Sequence, residues 1–293
     1  MRAAAAATAT AAGLVRSART QRWPRGHQAG YAATARGSRK SAIRGRSAAG
    51  AGASPAASVS SSASTSTDGD VTRKFGDPSF WEAQYSSQYA RQEEASPFEW
   101  FLPYEGDSEG EGGLREYLLP FLESMPSCTR LLHVGCGTSD MGPKLAQEPS
   151  LSVRVTDADN SPSAVRIMEQ RHAGLENYTA SEADALNLSF PEGAFDVIVD
   201  KGTLDALLCS SVDDAREMVT EMHRVLSTGG AYVQVSAEDP EARLDLLTGC
   251  ETPEGRGGGR GGRRRPWSRH FFKELRELGA GAGSTYFMYV MVK

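Results

Sequence analysis

The chain is predicted to be an α/β protein whose parallel, helix-covered sheet ends on an antiparallel strand. Three observations predict this. From Arg130 onward short apolar, β-branched runs alternate with stretches of helical spacing; the first of those runs passes directly into a Gly-x-Gly turn; and the sequence closes on Thr285-Tyr286-Phe287-Met288-Tyr289-Val290-Met291-Val292, a long strand-like run with no helix after it. A sheet that finishes on such a run calls for a terminal antiparallel insertion.

Taken in order, Gly113 to Met125 places Leu114, Tyr117, Leu118, Phe121 and Leu122 at helical spacing, with Pro120 expected to kink it. Arg130 to Val134 is a short apolar strand ended by Gly135, and Asp140 to Gln147 a helix. Ser152 to Thr156 is strand-like, and the helix after Asp159 opens on Ser161-Pro162, a favoured N-cap and first-turn pair. Tyr178 to Glu182 is a weak strand, and Phe195 to Val199 has the apolar, β-branched texture of a buried parallel one. Val212 to Leu226 sets Met218, Met222 and Val225 on one helical face; Gly229-Gly230 is expected to stop that helix before a strand over Ala231 to Val235.

The ends and one loop differ in composition. The first 67 residues hold ten Arg or Lys and no Asp or Glu, so the remainder must carry −15 for the chain to reach its net −5. An Arg-rich, Ser-rich, acid-free start without an apolar core fits an organelle transit peptide, of mitochondrion or plastid, better than a secretory signal. The competing reading is a disordered basic tail that binds anionic surfaces. Residues 1–67 are therefore assigned to transit peptide and linker, 75–125 to an aromatic N-terminal flap and helix, and 126–293 to the α/β domain. Within that domain lies a low-complexity loop over 252–266, whose Arg/Gly run reads as a tolerated expansion in preference to an RNA-binding segment, so nucleic acid is not expected as a partner. Cys128, Cys136, Cys209 and Cys250 lack C-x-x-C spacing, which points away from a zinc site or disulfide framework; no metal is expected. No run of about 18 apolar residues is present to span a bilayer, so a soluble mature protein without a membrane partner is expected.

The chemistry sits on a ladder of short motifs. Gly135 and Gly137 remove Cβ where strand turns to helix, letting backbone N–H groups approach a ligand. A dinucleotide fold would place a third glycine three residues further, where this chain has Asp140, and an acid facing a pyrophosphate is unfavourable. Asp159 stands where a carboxylate accepts from ribose hydroxyls, with Asp157 as the competing candidate; Asp184 can accept from an adenine amino group, with Ala185 and Leu186 against the ring. Taken singly, each of these acids is as well read as an Asx turn or cap; their joint spacing reads as an S-adenosylmethionine (SAM) site. Asp200-Lys201-Gly202-Thr203 follows at the end of the fourth strand, with Asp205 just beyond, where open α/β sheets place ligand crevices. Lys201 alone could equally be a surface charge. The aromatics from Phe80-Trp81 to Tyr85 and from Pro97 to Phe101 read both as a flap over the core and as a lid whose rings enclose a ligand.

On these residues the segment from about Phe75 to Lys293 resembles the seven-stranded, Rossmann-like class I SAM-dependent methyltransferases. It is most similar to the branch of the citrate synthase lysine methyltransferase and the elongation factor lysine methyltransferases. The matching pieces are Phe80-Trp81 to Tyr85, Pro97 to Phe101, Val134-Gly135-Cys136-Gly137-Thr138-Ser139, Asp200-Lys201-Gly202-Thr203-Leu204-Asp205-Ala206, Glu238-Asp239-Pro240-Glu241-Ala242-Arg243 and Thr285-Tyr286-Phe287. The resemblance implies a sheet with an antiparallel last strand and helices on both faces. It also implies SAM as cofactor: the Gly135 and Gly137 loop on the methionine moiety, Asp159 on the ribose, Asp184 and Ala185 on the adenine, Asp200 near the transferred methyl, and Trp81, Tyr85 and Trp100 closing over the ligand. His133 departs from the acidic residue common at that position elsewhere in the superfamily. For a lysine acceptor on a protein substrate, Asp200 and Asp205 would bind the ammonium and position the amine, in a direct displacement aided by orientation. The expected activity is protein-lysine methylation in an organelle, with citrate synthase a candidate substrate. The alternatives are a small-molecule, quinone-type methyltransferase and an inactive SAM-fold scaffold.

Overall fold

Strands β1 (Arg130–Val134), β2 (Arg154–Asp159), β3 (Tyr178–Glu182), β4 (Phe195–Lys201), β5 (Leu226–Ser236), β6 (Arg269–Leu275) and β7 (Tyr286–Val292) form one sheet, in the spatial order β3-β2-β1-β4-β5-β7-β6. The computed structural model describes residues 73–90, 97–106, 112–125, 128–249, 267–275 and 285–293. The transit and linker assignment, the low-complexity loop and Cys250 lie outside them. The first five strands are parallel; β7 runs antiparallel to both β5 and β6. The described helices are α1 (Pro78–Ala90), α2 (Arg115–Glu123), α3 (Met141–Ala146), α4 (Pro162–Arg171), α5 (Thr203–Leu208), α6 (Val212–Val225) and α7 (Pro240–Thr248).

Side chains alternate between two cores, as the two-residue period of a strand requires. Leu131, Val197, Val199, Val233 and Val290 join Leu118, Leu122, Met141 and Met168 from α2, α3 and α4 on one face. Leu132, Ile198, Tyr232, Tyr289 and Met291 join Met218, Met222 and Leu247 from α6 and α7 on the other. Every residue of β4 is buried, which explains the apolar Val197, Ile198 and Val199 at its centre. Fully burying one such Leu or Ile contributes about 1.5–3 kcal/mol, so strand order and face are set by these residues together. Register brings the ends level: Val134 pairs with Ala158 on one side and Asp200 on the other, so Gly135, Asp159 and Lys201 leave the sheet along one edge.

Several boundaries differ from expectation. β2 extends through Asp157 to Asp159, because both carboxylates find buried hydrogen-bond partners that make polar strand positions tolerable. The helix expected over Gly113 to Met125 is confined to Arg115–Glu123; Pro120 lies inside it, with Leu118, Leu119 and Leu122 buried on either side. Gly229-Gly230 lies within β5 and does not separate helix from strand; Gly229 at φ +81° accompanies a register irregularity opposite Phe195 and Val197. Helices α1, α5 and α7 and strand β6 had no clear periodic signal. α1 mixes its aromatics with polar Ser, Gln and Glu, α5 has only 6 residues, and β6 is an edge strand with adjacent Phe271 and Phe272 breaking the alternation. The expected caps are present: Ser161 Oγ accepts from the Ala164 N–H, as Ser211 accepts from Asp214.

Candidate active site

A cavity of about 400 Å³ opens at the edge where β1, β2 and β4 end. It is bounded by the turn after β1, by Asp159 and Asn160 after β2, by Ala183 to Leu186 after β3, by Lys201 to Thr203 after β4, and by rings of the flap.

Gly135 and Gly137 adopt φ +63° and +52°, a region that costs an L-residue roughly 1–2 kcal/mol. Close approach is a second requirement, and it comes from the protein itself. A Cβ on Gly135 would overlap Thr203, and one on Gly137 would overlap the Tyr85 hydroxyl. Cys136 between them is buried, and burial raises its thiol well above the ordinary range, leaving it neutral.

The two acids of β2 have different tasks. Asp157, with no exposed surface, takes His133 Nδ1 at 3.0 Å and the Tyr178 hydroxyl at 2.8 Å. Asp159 lines the cavity; its Oδ2 accepts the Gly137 N–H at 2.8 Å and its Oδ1 the Ser161 N–H at 2.9 Å. Burial pushes its pKa up, opposed by those two N–H groups and by His133. His133 is among the residues bounding the cavity, with its buried ring held by the Asp157 carboxylate. Asp184 is exposed at the rim, its Oδ1 accepting the Leu186 N–H at 2.9 Å in an Asx turn, beside the apolar Ala185 and Leu186.

Asp200 and Asp205 are not in the cavity wall. Asp200 is fully buried, accepting the Thr203 N–H at 2.8 Å and the Tyr232 hydroxyl at 3.1 Å, so it caps α5 from below. Burial and then the neighbouring Asp205 push its pKa up to about 7. Asp205 points to the far side of α5, where Ser236 Oγ (2.6 Å), Gln234 Nε2 (2.9 Å) and Arg243 Nη2 (2.9 Å) all donate to it. Burial raises it and the Arg243 guanidinium holds it down. Neither carboxylate is placed to touch a ligand in this cavity.

Lys201, which the sequence alone reads equally well as a surface charge, is buried. Its ammonium donates to Glu99 Oε2 at 2.9 Å and to the Trp100 carbonyl at 2.8 Å. Burial lowers its pKa, with Glu99 opposing. Glu99 also accepts from Ser139 Oγ at 2.8 Å and from the Asp140 N–H at 3.1 Å. One carboxylate thus ties the flap to β4 and to the start of α3. Phe101 follows at φ +66°, turning the chain back over the sheet.

The flap rings form one aromatic group. Phe75 meets Trp100 edge-on at 5.4 Å, Trp81 meets Trp100 at 5.5 Å, and Trp81 stacks on Tyr85 at 6.1 Å. Gly202, at φ +91°, lies so close to Trp100 that a Cβ there would meet the indole. The Trp100 Nε1 is buried and has no hydrogen-bond partner among the described residues.

Of the residues predicted to bind cofactor, Trp81, Tyr85, Trp100, Gly135, Asp159, Asp184 and Ala185 meet around one cavity; Gly137 stands behind Tyr85, and Asp200 and Asp205 lie beneath the wall. His133, Glu99 and the burial of Lys201 escaped sequence reasoning, since each depends on a partner 24 to 102 positions away. The donor set fits SAM. Carboxylates Asp159, Asp184 and Asp214 line the cavity, and its Lys201 ammonium is already matched by Glu99, so the wall favours a cation over a pyrophosphate. The orphaned indole N–H of Trp100 leaves one donor for a polar ligand atom.

Comparison with known proteins agrees with this geometry. A family model described as "Methyltransferase domain" matches residues 131–230. The citrate synthase-lysine N-methyltransferase of Homo sapiens is 32% identical over 210 residues, covering 66% of this chain and 78% of the relative. That of Danio rerio is 34% identical over 51% of this chain and 63% of its own length. The EEF1A lysine methyltransferase 4 of Mus musculus is 30% identical, over 56% and 62% respectively. Among solved structures, a SAM-dependent methyltransferase of Methanosarcina mazei aligns at TM-score 0.44 and 19% identity, covering 60% of this chain and 96% of that one. With SAM as its cofactor, the chain belongs to the seven-stranded class I SAM-dependent methyltransferases, in the branch that holds the citrate synthase and elongation factor lysine methyltransferases.

Proposed function

We propose that this protein methylates a lysine side chain on a protein substrate in the mitochondrion, with citrate synthase the first candidate. The carrying observation is the cavity itself: carboxylates on its wall, a glycine turn at one end, and aromatic rings closing it. The relatives named as mitochondrial citrate synthase lysine methyltransferases support the substrate class and compartment; the acid-free basic start of the chain fits import into an organelle, mitochondrion or plastid.

When bound, SAM supplies an electrophilic methyl group. The residues of this chain prepare the site around it. Asp159 and Asp184 accept hydrogen bonds at the nucleoside end; Tyr85, Trp81 and Trp100 exclude water; and the aromatic faces attract a cation such as a lysine ammonium before it loses its proton. Asp200 and Asp205 act in this reading as supports of α5, the wall segment, and not as groups touching the acceptor.

The test uses the full chain with labelled SAM and either purified citrate synthase or mitochondrial extract, followed by mass spectrometry. Label on one lysine of one protein, lost in Asp159→Ala, is the expected result. Label confined to small molecules would replace the reading with a small-molecule methyltransferase; SAM binding without any transfer would favour a scaffold.

A further inference from the structure

Glu82 does not line the cavity, yet it stands on α1 between Trp81 and Tyr85, which do. Its carboxylate crosses to the turn that opens α4. Oε2 accepts the Ser161 hydroxyl at 2.5 Å and the Ser163 N–H at 3.2 Å, and Oε1 accepts the Ser163 hydroxyl at 2.7 Å. Both serines are nearly inaccessible, at 1% and 4% exposure. Ser161 is a junction: its N–H donates to Asp159 Oδ1 at 2.9 Å, while its hydroxyl donates to Glu82 and accepts from the Ala164 N–H. One side chain therefore joins the flap carboxylate to the carboxylate at the cavity wall.

Two further polar links from α1 to the sheet helices and their loops are weaker: Gln170 Nε2 to the Tyr89 hydroxyl at 3.2 Å on the exposed side, and Thr138 to Gln88 at 3.5 Å. A charged acceptor with two short hydroxyl donors and a third donor at 3.2 Å outweighs these, because hydrogen bonds to an ionised group are roughly twice as strong as neutral ones. Partial burial works against the Glu82 charge, but the two serines outweigh it and keep the carboxylate ionised below its ordinary range.

We propose that Glu82 is a positioning residue which, through Ser161, holds the aromatic wall of α1 and the Asp159 carboxylate as one unit against the nucleoside part of the cofactor. This rests on the reading of the cavity as a SAM site. It requires that Glu82 affect ligands sharing the nucleoside, whether or not they carry the amino-acid end.

The test is calorimetric titration of the full chain with S-adenosylhomocysteine and with 5′-methylthioadenosine, which keeps the nucleoside and lacks the amino-acid end. Glu82→Gln is expected to weaken both ligands alike, by about tenfold, and Ser163→Ala, which leaves the Ser161 contact in place, to weaken both alike by a smaller factor. The double variant should be no worse than the weaker-binding single, because the two share one contact. Urea midpoints of the ligand-free variants separate this from general unfolding, and Ser163→Ala keeps the test open should Glu82→Gln fold poorly. Unchanged affinity for both ligands, or additive losses in the double variant, would overturn the assignment of Glu82. A wild-type chain that binds neither ligand would overturn the cofactor reading as well, so the two failures are distinguishable.

Discussion

Replacing Asp200 with Asn should remove a pH dependence of stability that the buried carboxylate imposes. Asp200 has no exposed surface and a pKa pushed up from 3.8 to about 7, by burial first and by Asp205 second. Because the folded value lies above the unfolded one, the folded chain retains the proton between them. Stability contributed by the protonated form is full below about pH 4, falls as pH rises through the window, and levels off above about 7. Each pKa unit corresponds to about 1.4 kcal/mol, so from pH 5 to pH 7 the wild type should lose about 2 kcal/mol relative to Asp200→Asn. Asn has nearly the same shape, keeps one acceptor for the Thr203 N–H, and does not titrate. Asp159, also raised, remains in both proteins and largely cancels in the difference. The assay is urea denaturation of both proteins followed by tryptophan fluorescence, at half-unit steps from pH 5 to 8. Curves of stability against pH that stay parallel would refute the argument: they would mean that Asp200 is ionised throughout, its three donors outweighing burial.

Trp100→Phe keeps a ring over Gly202 but removes the unpartnered indole N–H. S-adenosylhomocysteine should bind about tenfold more weakly while 5′-methylthioadenosine is unchanged, as calorimetry would show; equal losses would mean that the indole acts only as a wall. Gly142→Ala, normally favourable within a helix, should destabilise by about 1–3 kcal/mol in a denaturant titration, because the new Cβ overlaps the Asp157 carboxylate. A neutral or stabilising result would contradict that packing. Arg243→Met leaves the largely buried Asp205 without its cation and should cost about 3 kcal/mol, of which Asp205→Asn added in the same chain should restore a substantial part. No recovery in the double variant would show that the pair is not the source of the loss.

How legible the fold was depended on how each element is buried. β4 and β7, with both faces covered or a broad apolar run, carry their structure in composition alone, and the pairing of Val134 with Asp200 follows from a parallel order the motifs already imply. α6 was readable because its apolar face repeats cleanly at Ala215, Met218, Met222 and Val225. β6 was not, since an edge strand needs no buried face and takes its conformation from hydrogen bonds to β7. At the site, the glycine turn and the choice of Asp159 over Asp157 were legible from local spacing. The pairing of Asp157 with His133 was hidden, although it decides why Asp157 is unavailable: the partners sit on adjacent strands, and register, not local spacing, brings them together.

The segment from Asp200 to Asp205 shows how a motif can be specific to a function without touching the reaction. Its polar residues look, in one dimension, like a ligand-binding string at the end of a strand. In three dimensions each is committed to the protein. Asp200 holds the first N–H groups of α5, and Lys201 grips Glu99 and the Trp100 carbonyl. Gly202 gives up its Cβ to the Trp100 indole. The Thr203 hydroxyl donates back to the Val134 carbonyl at 3.2 Å, and Asp205 anchors α5 to Arg243. Three bodies meet there: the glycine turn after β1, the flap, and the helix forming the cavity wall. Substituting any one of these residues removes a joint between two of the bodies, so loss of activity on mutation is expected even where no contact with cofactor or acceptor exists. A catalytic assignment for Asp200 or Asp205 therefore cannot rest on lost turnover; it requires a change in acceptor KM or in the pH profile that exceeds the change in cofactor affinity and stability. On the geometry here, the opposite balance is expected for both.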